Sequence, residues 1–275
     1  MKYTKSWSST TPGCFLFLID QSGSTRSTVN ETGVPLAEEI ARVLNNFIAE
    51  LIPKCSGGGF IKDRVHVGML GYFGEDEVRS LLPGSATEEI VKISDLQKRN
   101  LGTKDVAIET VVDGQIQTIT EKQTYWLDAT AGGRTPMNKA FRTATTIIAK
   151  WIRSHSESYP PIVVNITDGK PTDGSDLTAS AKGLTDLETE DGNVLLLNIH
   201  LTPEFSSAML CPSSDASLPD EYARMLWRIS SPLPSSMLTV APDYGLDLPV
   251  DARGMAFNAT IDDLIRLLDF GSQNV

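Results

Sequence analysis

Asp20, Ser22 and Ser24 stand at alternate positions directly after the apolar run Phe15 to Ile19, in the stretch FLFLIDQSGST. An acid and two hydroxyls at this spacing could offer hard oxygen ligands to a divalent cation, or an acid and a nucleophile to a hydrolytic site. Two more stretches carry the same kinds of group, Gly132-Gly-Arg-Thr135-Pro and Thr167-Asp168-Gly169. Each has an ordinary reading as well. Asp, Ser and Gly form turns, and Thr135 before Pro136 suits the N-cap of a helix. Taken singly the motifs do not choose between these readings. Their placement in the fold does.

The apolar run fits a strand covered on both faces, as in the parallel sheets of α/β proteins, and its end then points into a loop at the carboxyl edge, where such sheets bind ligands. Pro35 to Ile52 puts Leu36, Ile40, Val43, Leu44, Phe47, Ile48 and Leu51 on one helical face, with Pro53 as a stop. Asp63 to Phe73 reads as a second strand, Pro136 to Ile152 as a helix, and Pro160 to Gly169 as a buried strand ending in Asp-Gly. Thr178 to Leu187 predicts a helix, Asn193 to Leu201 a strand, Pro219 to Ser230 a helix, Met255 to Asn258 a short strand, and Ile261 to Leu268 a closing amphipathic helix. Strands alternating with helices predict a doubly wound, mostly parallel sheet flanked by helices. All three polar loops then leave the same sheet edge.

The 275 residues, 40% of them apolar, suit one domain with two insertions. The first insertion spans 74–131. It holds a short strand at Val78 to Leu82 and a β-hairpin in which Asp113-Gly114 separates two alternating runs, expected as an elaboration of the sheet edge. The second is the Ser/Pro-rich stretch 201–221, expected as a surface loop.

A net charge of −11 disfavours a nonspecific grip on nucleic acid or anionic membrane and accommodates a cation or a basic patch. Cys14, Cys55 and Cys211 lack metal-ligand spacing and read as reduced thiols, so the expected location is cytoplasmic. The sequence offers no signal core and no run of about 20 apolar residues, so no membrane span is expected and the sequons at Asn30, Asn165 and Asn258 carry no meaning.

The three motifs in this order resemble the von Willebrand factor A domain, whose metal-ion-dependent adhesion site combines a D-x-S-x-S loop, a threonine loop and an aspartate loop. The stretches GGRTPMNKAF and NITDGKPTDG resemble the bacterial intracellular branch associated with tellurite-resistance-type stress operons. The resemblance covers most of the chain. It implies Mg²⁺ or Mn²⁺ held directly by Ser22, Ser24 and Thr135, with Asp20 and Asp168 acting through bound water. It also implies a partner that offers an acidic residue to the metal, and work beside an operon-encoded kinase or phosphatase. Hydroxyl ligands donate little charge, so such an ion stays electrophilic and keeps a coordination position for a partner carboxylate. Asp173 and Asp176 read as turn residues rather than ligands. In related domains the threonine loop and the C-terminal helix shift on ligand uptake, which would make Thr135 and Ile261 to Leu268 the moving parts.

Enzymatic readings fit less well. A phosphatase of the haloacid dehalogenase type needs a second acid where Ser22 stands. Ser22 or Ser24, Asp168 and His200 come in the chain order of α/β-hydrolases, but the nucleophile elbow requires a glycine where Asp20 stands. His66 and His155 have no partners at metal spacing, and Gly57 to Gly59 does not make a P-loop. The expectation is a non-enzymatic, metal-dependent interaction module. A hydrolase at the same edge is the alternative.

Overall fold

The computed structural model describes residues 2–29, 32–84, 89–112, 115–202 and 207–272. Its first half comprises β1 (Gly13–Asp20), α1 (Leu36–Lys54), the short pair β2 (Ser56–Gly57) and β3 (Phe60–Ile61), β4 (Val65–Phe73), β5 (Glu77–Ser80), β6 (Ile90–Lys92), α2 (Ile93–Lys98), β7 (Gly102–Val112) and β8 (Gln115–Tyr125). Then follow α3 (Met137–Ser154), β9 (Ile162–Thr167), α4 (Thr178–Thr185), the pair β10 (Glu188–Thr189) and β11 (Gly192–Asn193), β12 (Leu195–Leu201), β13 (Met209–Leu210), α5 (Glu221–Ile229), α6 (Ser235–Val240), β14 (Met255–Ala259) and α7 (Ile261–Gly271).

The central sheet runs β13-β14-β12-β9-β1-β4-β5, with β6 also on β4. The five inner strands are parallel, and β5, β6 and β13 pair antiparallel at the edges. Alternation along β1 sends Phe15, Phe17 and Ile19 to one face, with α1, α6 and α7, and Cys14, Leu16 and Leu18 to the other, with α3, α4 and α5. Burial on both faces explains the unbroken apolar run. From β1 the chain passes through α1 to β4 on one side, and β9 later enters on the other side of β1. The order therefore reverses between β1 and β9, which is the topological switch point.

The mixed α/β, doubly wound class holds, and several boundaries move. Pro53 does not stop α1 but sits in its last turn, where Cys55 N–H still reaches the Leu51 carbonyl. The hairpin is not an elaboration of the sheet edge. Among the described residues β7 and β8 pair only with each other, and β5 and β6 occupy the outer edge of β4. Its Asp113-Gly114 turn lies outside the described residues.

The 201–221 stretch is not purely a surface loop. β13 within it covers the edge of β14, and Cys211 and Leu218 are buried. The helix at Ser235–Val240 follows from no periodicity in the sequence reading. The three cysteines are free and buried. Asn165 lies fully buried in β9, and the Asn30 sequon lies outside the described residues. No described helix is long and apolar enough to cross a membrane.

Candidate functional site at the switch point

Register positions the first acid. Asp20 pairs with Tyr72 of β4, and Ile19 pairs with Ile166 of β9, so Asp20 and Thr167 end neighbouring strands together. The Thr167 hydroxyl lies 2.7 Å from Asp20 Oδ2, and the Ser22 backbone N–H donates to Asp20 Oδ1 at 2.9 Å. Ser22 and Ser24 hydroxyls lie 3.0 Å apart, and the Ser24 hydroxyl donates to Asp168 Oδ1 at 2.7 Å. Four of the five expected residues, Asp20, Ser22, Ser24 and Asp168, thus join in one cluster with Thr167.

Thr135 is brought to the same edge by its backbone. Gly23 N–H donates to the Gly133 carbonyl at 3.0 Å, Gly132 N–H to the Gln21 carbonyl at 2.7 Å, and the Arg26 guanidinium to the Ala131 carbonyl at 2.9 Å. On its other side Thr135 N–H donates to the Thr172 hydroxyl at 3.0 Å, and Thr172 N–H returns to the Thr135 carbonyl at 2.9 Å. The threonine loop is therefore pinned between the other two. The Thr135 residue is buried, but its hydroxyl is not among the buried side-chain atoms left without a partner. It does not cap α3, whose N-cap is Pro136.

That duty falls to Asp173. Its carboxylate accepts from Asn138 N–H at 3.0 Å and Lys139 N–H at 2.8 Å, satisfying donors that the first turn of α3 leaves free. Asp176 likewise accepts from Thr178 N–H at the start of α4. Both carboxylates are engaged by backbone N–H groups at helix starts.

The pair Gly132-Gly133 has a steric cause. Gly133 has φ +76°, and a Cβ there would fall 2.4 Å from Gly74 Cα. The two backbones touch at the two ends of the 74–131 stretch, through Gly74 N–H to the Gly132 carbonyl and Arg134 N–H to the Gly74 carbonyl.

Burial pushes the Asp20 carboxyl up to about 6, against lowering by its hydrogen bonds from Ser22 and Thr167. Burial also raises Asp168, opposed by Ser24. A buried acid and a half-buried one, both with raised pKa values, stand side by side where positive charge would be stabilising.

Beneath the site runs a fully buried polar chain that residue types alone did not mark. Tyr72 donates to Asn165 Oδ1 at 3.0 Å, Asn165 Nδ2 to Asn198 Oδ1 at 3.1 Å, and Asn198 Nδ2 to the Ser230 hydroxyl at 2.9 Å. The available signal was the Asn in each of the runs VVNIT and LLNIH.

His200 does not serve the serines. Its Nδ1 accepts from Asn258 N–H at 3.3 Å, its ring stacks on Phe257 at 4.4 Å, and burial lowers its pKa to about 4. No hydrogen bond joins a histidine to Ser22 or Ser24 among the described residues, so the serine–histidine pairing of a hydrolase is not formed there.

These observations define a doubly wound α/β protein with a cluster of hydroxyls and carboxylates at its topological switch point. No family model and no curated protein matches the chain. Among solved structures it is similar to the pilus adhesin SpaC from Lactobacillus rhamnosus GG, with TM-score 0.52 and 11% identity over 98% of this chain and 31% of that one. It is also similar to proximal thread matrix protein 1 of the mussel byssus, with TM-score 0.43 and 15% identity over 81% and 42% of the two chains. A third is a von Willebrand factor type A protein from Catenulispora acidiphila, with TM-score 0.36 and 14% identity over 70% and 34%. The chain spans 31% to 42% of the length of these three. At 11% identity the likeness to SpaC, with its TM-score of 0.52, shows fold alone.

Proposed function

We propose that this chain is a non-enzymatic interaction module that holds Mg²⁺ or Mn²⁺ at the switch point and uses it to capture an acidic residue of a partner protein. The observation that carries the reading is the hydrogen-bonded set Ser22, Ser24 and Asp168 beside Asp20 and Thr167. The donor set fits a hard cation. Ser22 and Ser24 oxygens 3.0 Å apart match the edge of an octahedron with bonds of about 2.0–2.1 Å, which is about 2.9 Å. The Thr135 hydroxyl supplies a third neutral donor. Ser22, Ser24 and Thr135 would hold the ion directly, and Asp20 and Asp168 would hold its waters. When bound, the ion supplies an electrophilic centre for a carboxylate.

Cytoplasmic action in a bacterial stress-response complex, with a kinase or phosphatase as partner, belongs to this reading through the resemblance of GGRTPMNKAF and NITDGKPTDG. Calorimetric titration of Mg²⁺ and Mn²⁺ into metal-free protein tests the site. One saturable event, lost in Asp20→Ala and Ser22→Ala, is expected. No heat, or equal heats in the variants, rejects it. Retention of a glutamate-containing peptide by the Mn²⁺-loaded protein, reversed by EDTA, tests the capture step.

A further inference from the structure

A hydroxyl carries one hydrogen. The Thr167 hydroxyl stands 2.7 Å from Asp20 Oδ2 and 3.0 Å from the Gly169 carbonyl, and it already accepts from Gly169 N–H at 3.1 Å. Its single hydrogen has these two acceptors to serve, and the Tyr222 side chain also interacts with the Thr167 hydroxyl. The Tyr222 hydroxyl, on α5, donates to the same Gly169 carbonyl at 2.5 Å.

We propose that Tyr222 is a positioning residue for the metal edge: by supplying the Gly169 carbonyl with a donor, it leaves the Thr167 hydrogen for the Asp20 carboxylate. The inference rests on the metal reading for its consequence, and on hydrogen-bond counting for its cause. Tyr222 is well placed to do this. It is buried, its ring meets the edge of His200 at 5.9 Å, and Lys170 Nζ lies 5.7 Å over it. The preceding residue but one, Asp220, caps α5 through Ala223 N–H at 2.8 Å and also receives Lys170 Nζ at 3.4 Å. The start of α5 and the aspartate loop are thus fastened together at two points. Without the tyrosine hydroxyl, the Thr167 hydrogen turns to Gly169, and Asp20 keeps only its hydrogen bonds from Ser22.

Tyr222→Phe deletes only the oxygen. In wild-type background it is expected to weaken Mn²⁺ binding about 3- to 10-fold, the span of one ordinary hydrogen bond. In a Thr167→Val background nothing remains to be redirected, so adding Tyr222→Phe should cause no further loss, whereas Thr167→Ser should restore the effect. Unchanged Mn²⁺ affinity in Tyr222→Phe, or an equal loss in both backgrounds, overturns the proposal.

A metal-free arm separates this proposal from the metal reading. At pH 7 in EDTA, the Asp20 carboxyl carbon resonance should move in Tyr222→Phe and stay put when the same change is made in Thr167→Val. A resonance that does not move in Tyr222→Phe overturns the role of Tyr222, even if the wild type binds no Mn²⁺.

Discussion

The Ser24 hydroxyl donates to the Asp168 carboxylate at 2.7 Å across 144 positions of sequence. Two loops that share nothing but a sheet edge are joined by that bond, because β1 and β9 are adjacent and end at the same level. A cation there would replace repulsion between Asp20 and Asp168 by shared attraction.

The metal-free protein should feel the charge on Asp20. Its folded pKa of about 6 lies above the ordinary 3.8, so between these values the native state binds more protons than the unfolded one. Stability from this group is full below about pH 4 and is lost as pH rises through 6, a change on the order of 3 kcal/mol. Asp20→Asn should therefore be more stable than wild type in EDTA at pH 7, with the gain vanishing by pH 4. Denaturant melts at the two pH values check this, and equal stability at pH 7 contradicts it.

His66 works with the opposite sign. Burial pushes its pKa down to about 4, and its Nδ1 accepts the Trp151 indole N–H at 3.0 Å. The native state resists the proton that the unfolded chain takes up near 6.5, so this contribution is present above 6.5 and lost as pH falls toward 4. An NMR titration of the His66 ring should show its midpoint near 4. A midpoint near 6.5 would remove the acid sensitivity assigned to it.

Asp173 and the proposed ligands should part company on mutation. Asp173→Ala removes two acceptors from the first turn of α3 and should cost about 1–2 kcal/mol of stability, with metal affinity little changed. A loss of metal binding as complete as that of Ser22→Ala would place Asp173 among the ligands.

Gly133→Ala should be severe, because the added Cβ would overlap Gly74 and φ is +76°. A cost of about 2–3 kcal/mol is expected, together with weaker metal binding as the threonine loop shifts. Gly183 in α4 has open space around its Cβ position, and Gly183→Ala should stabilise by about 0.5–1 kcal/mol. Thermal melts of both proteins decide the contrast.

Much of this was legible in the sequence, for reasons that differ by residue. The run Phe15 to Ile19 announces a doubly covered strand because both sheet faces demand apolar side chains, and Asp20 marks its end because a buried carboxylate needs the donors that the loop ends supply, Ser22 N–H and the Thr167 hydroxyl. Helices α1, α3 and α7 are legible from their single apolar faces. What the sequence hid was pairing. Nothing in Met209–Leu210 reveals that they cover the edge of β14, and nothing in the hairpin strands reveals that β4 has no edge left for them. Tyr222 leaves no mark in the sequence, because its importance lies in the Gly169 carbonyl that it shares with Thr167, a contact made by folding.

The most direct measurement is anomalous scattering from crystals soaked in Mn²⁺. The account predicts one peak within bonding distance, about 2.1 Å, of the hydroxyl oxygens of Ser22, Ser24 and Thr135. No peak at that edge, or a peak coordinated elsewhere, would contradict it.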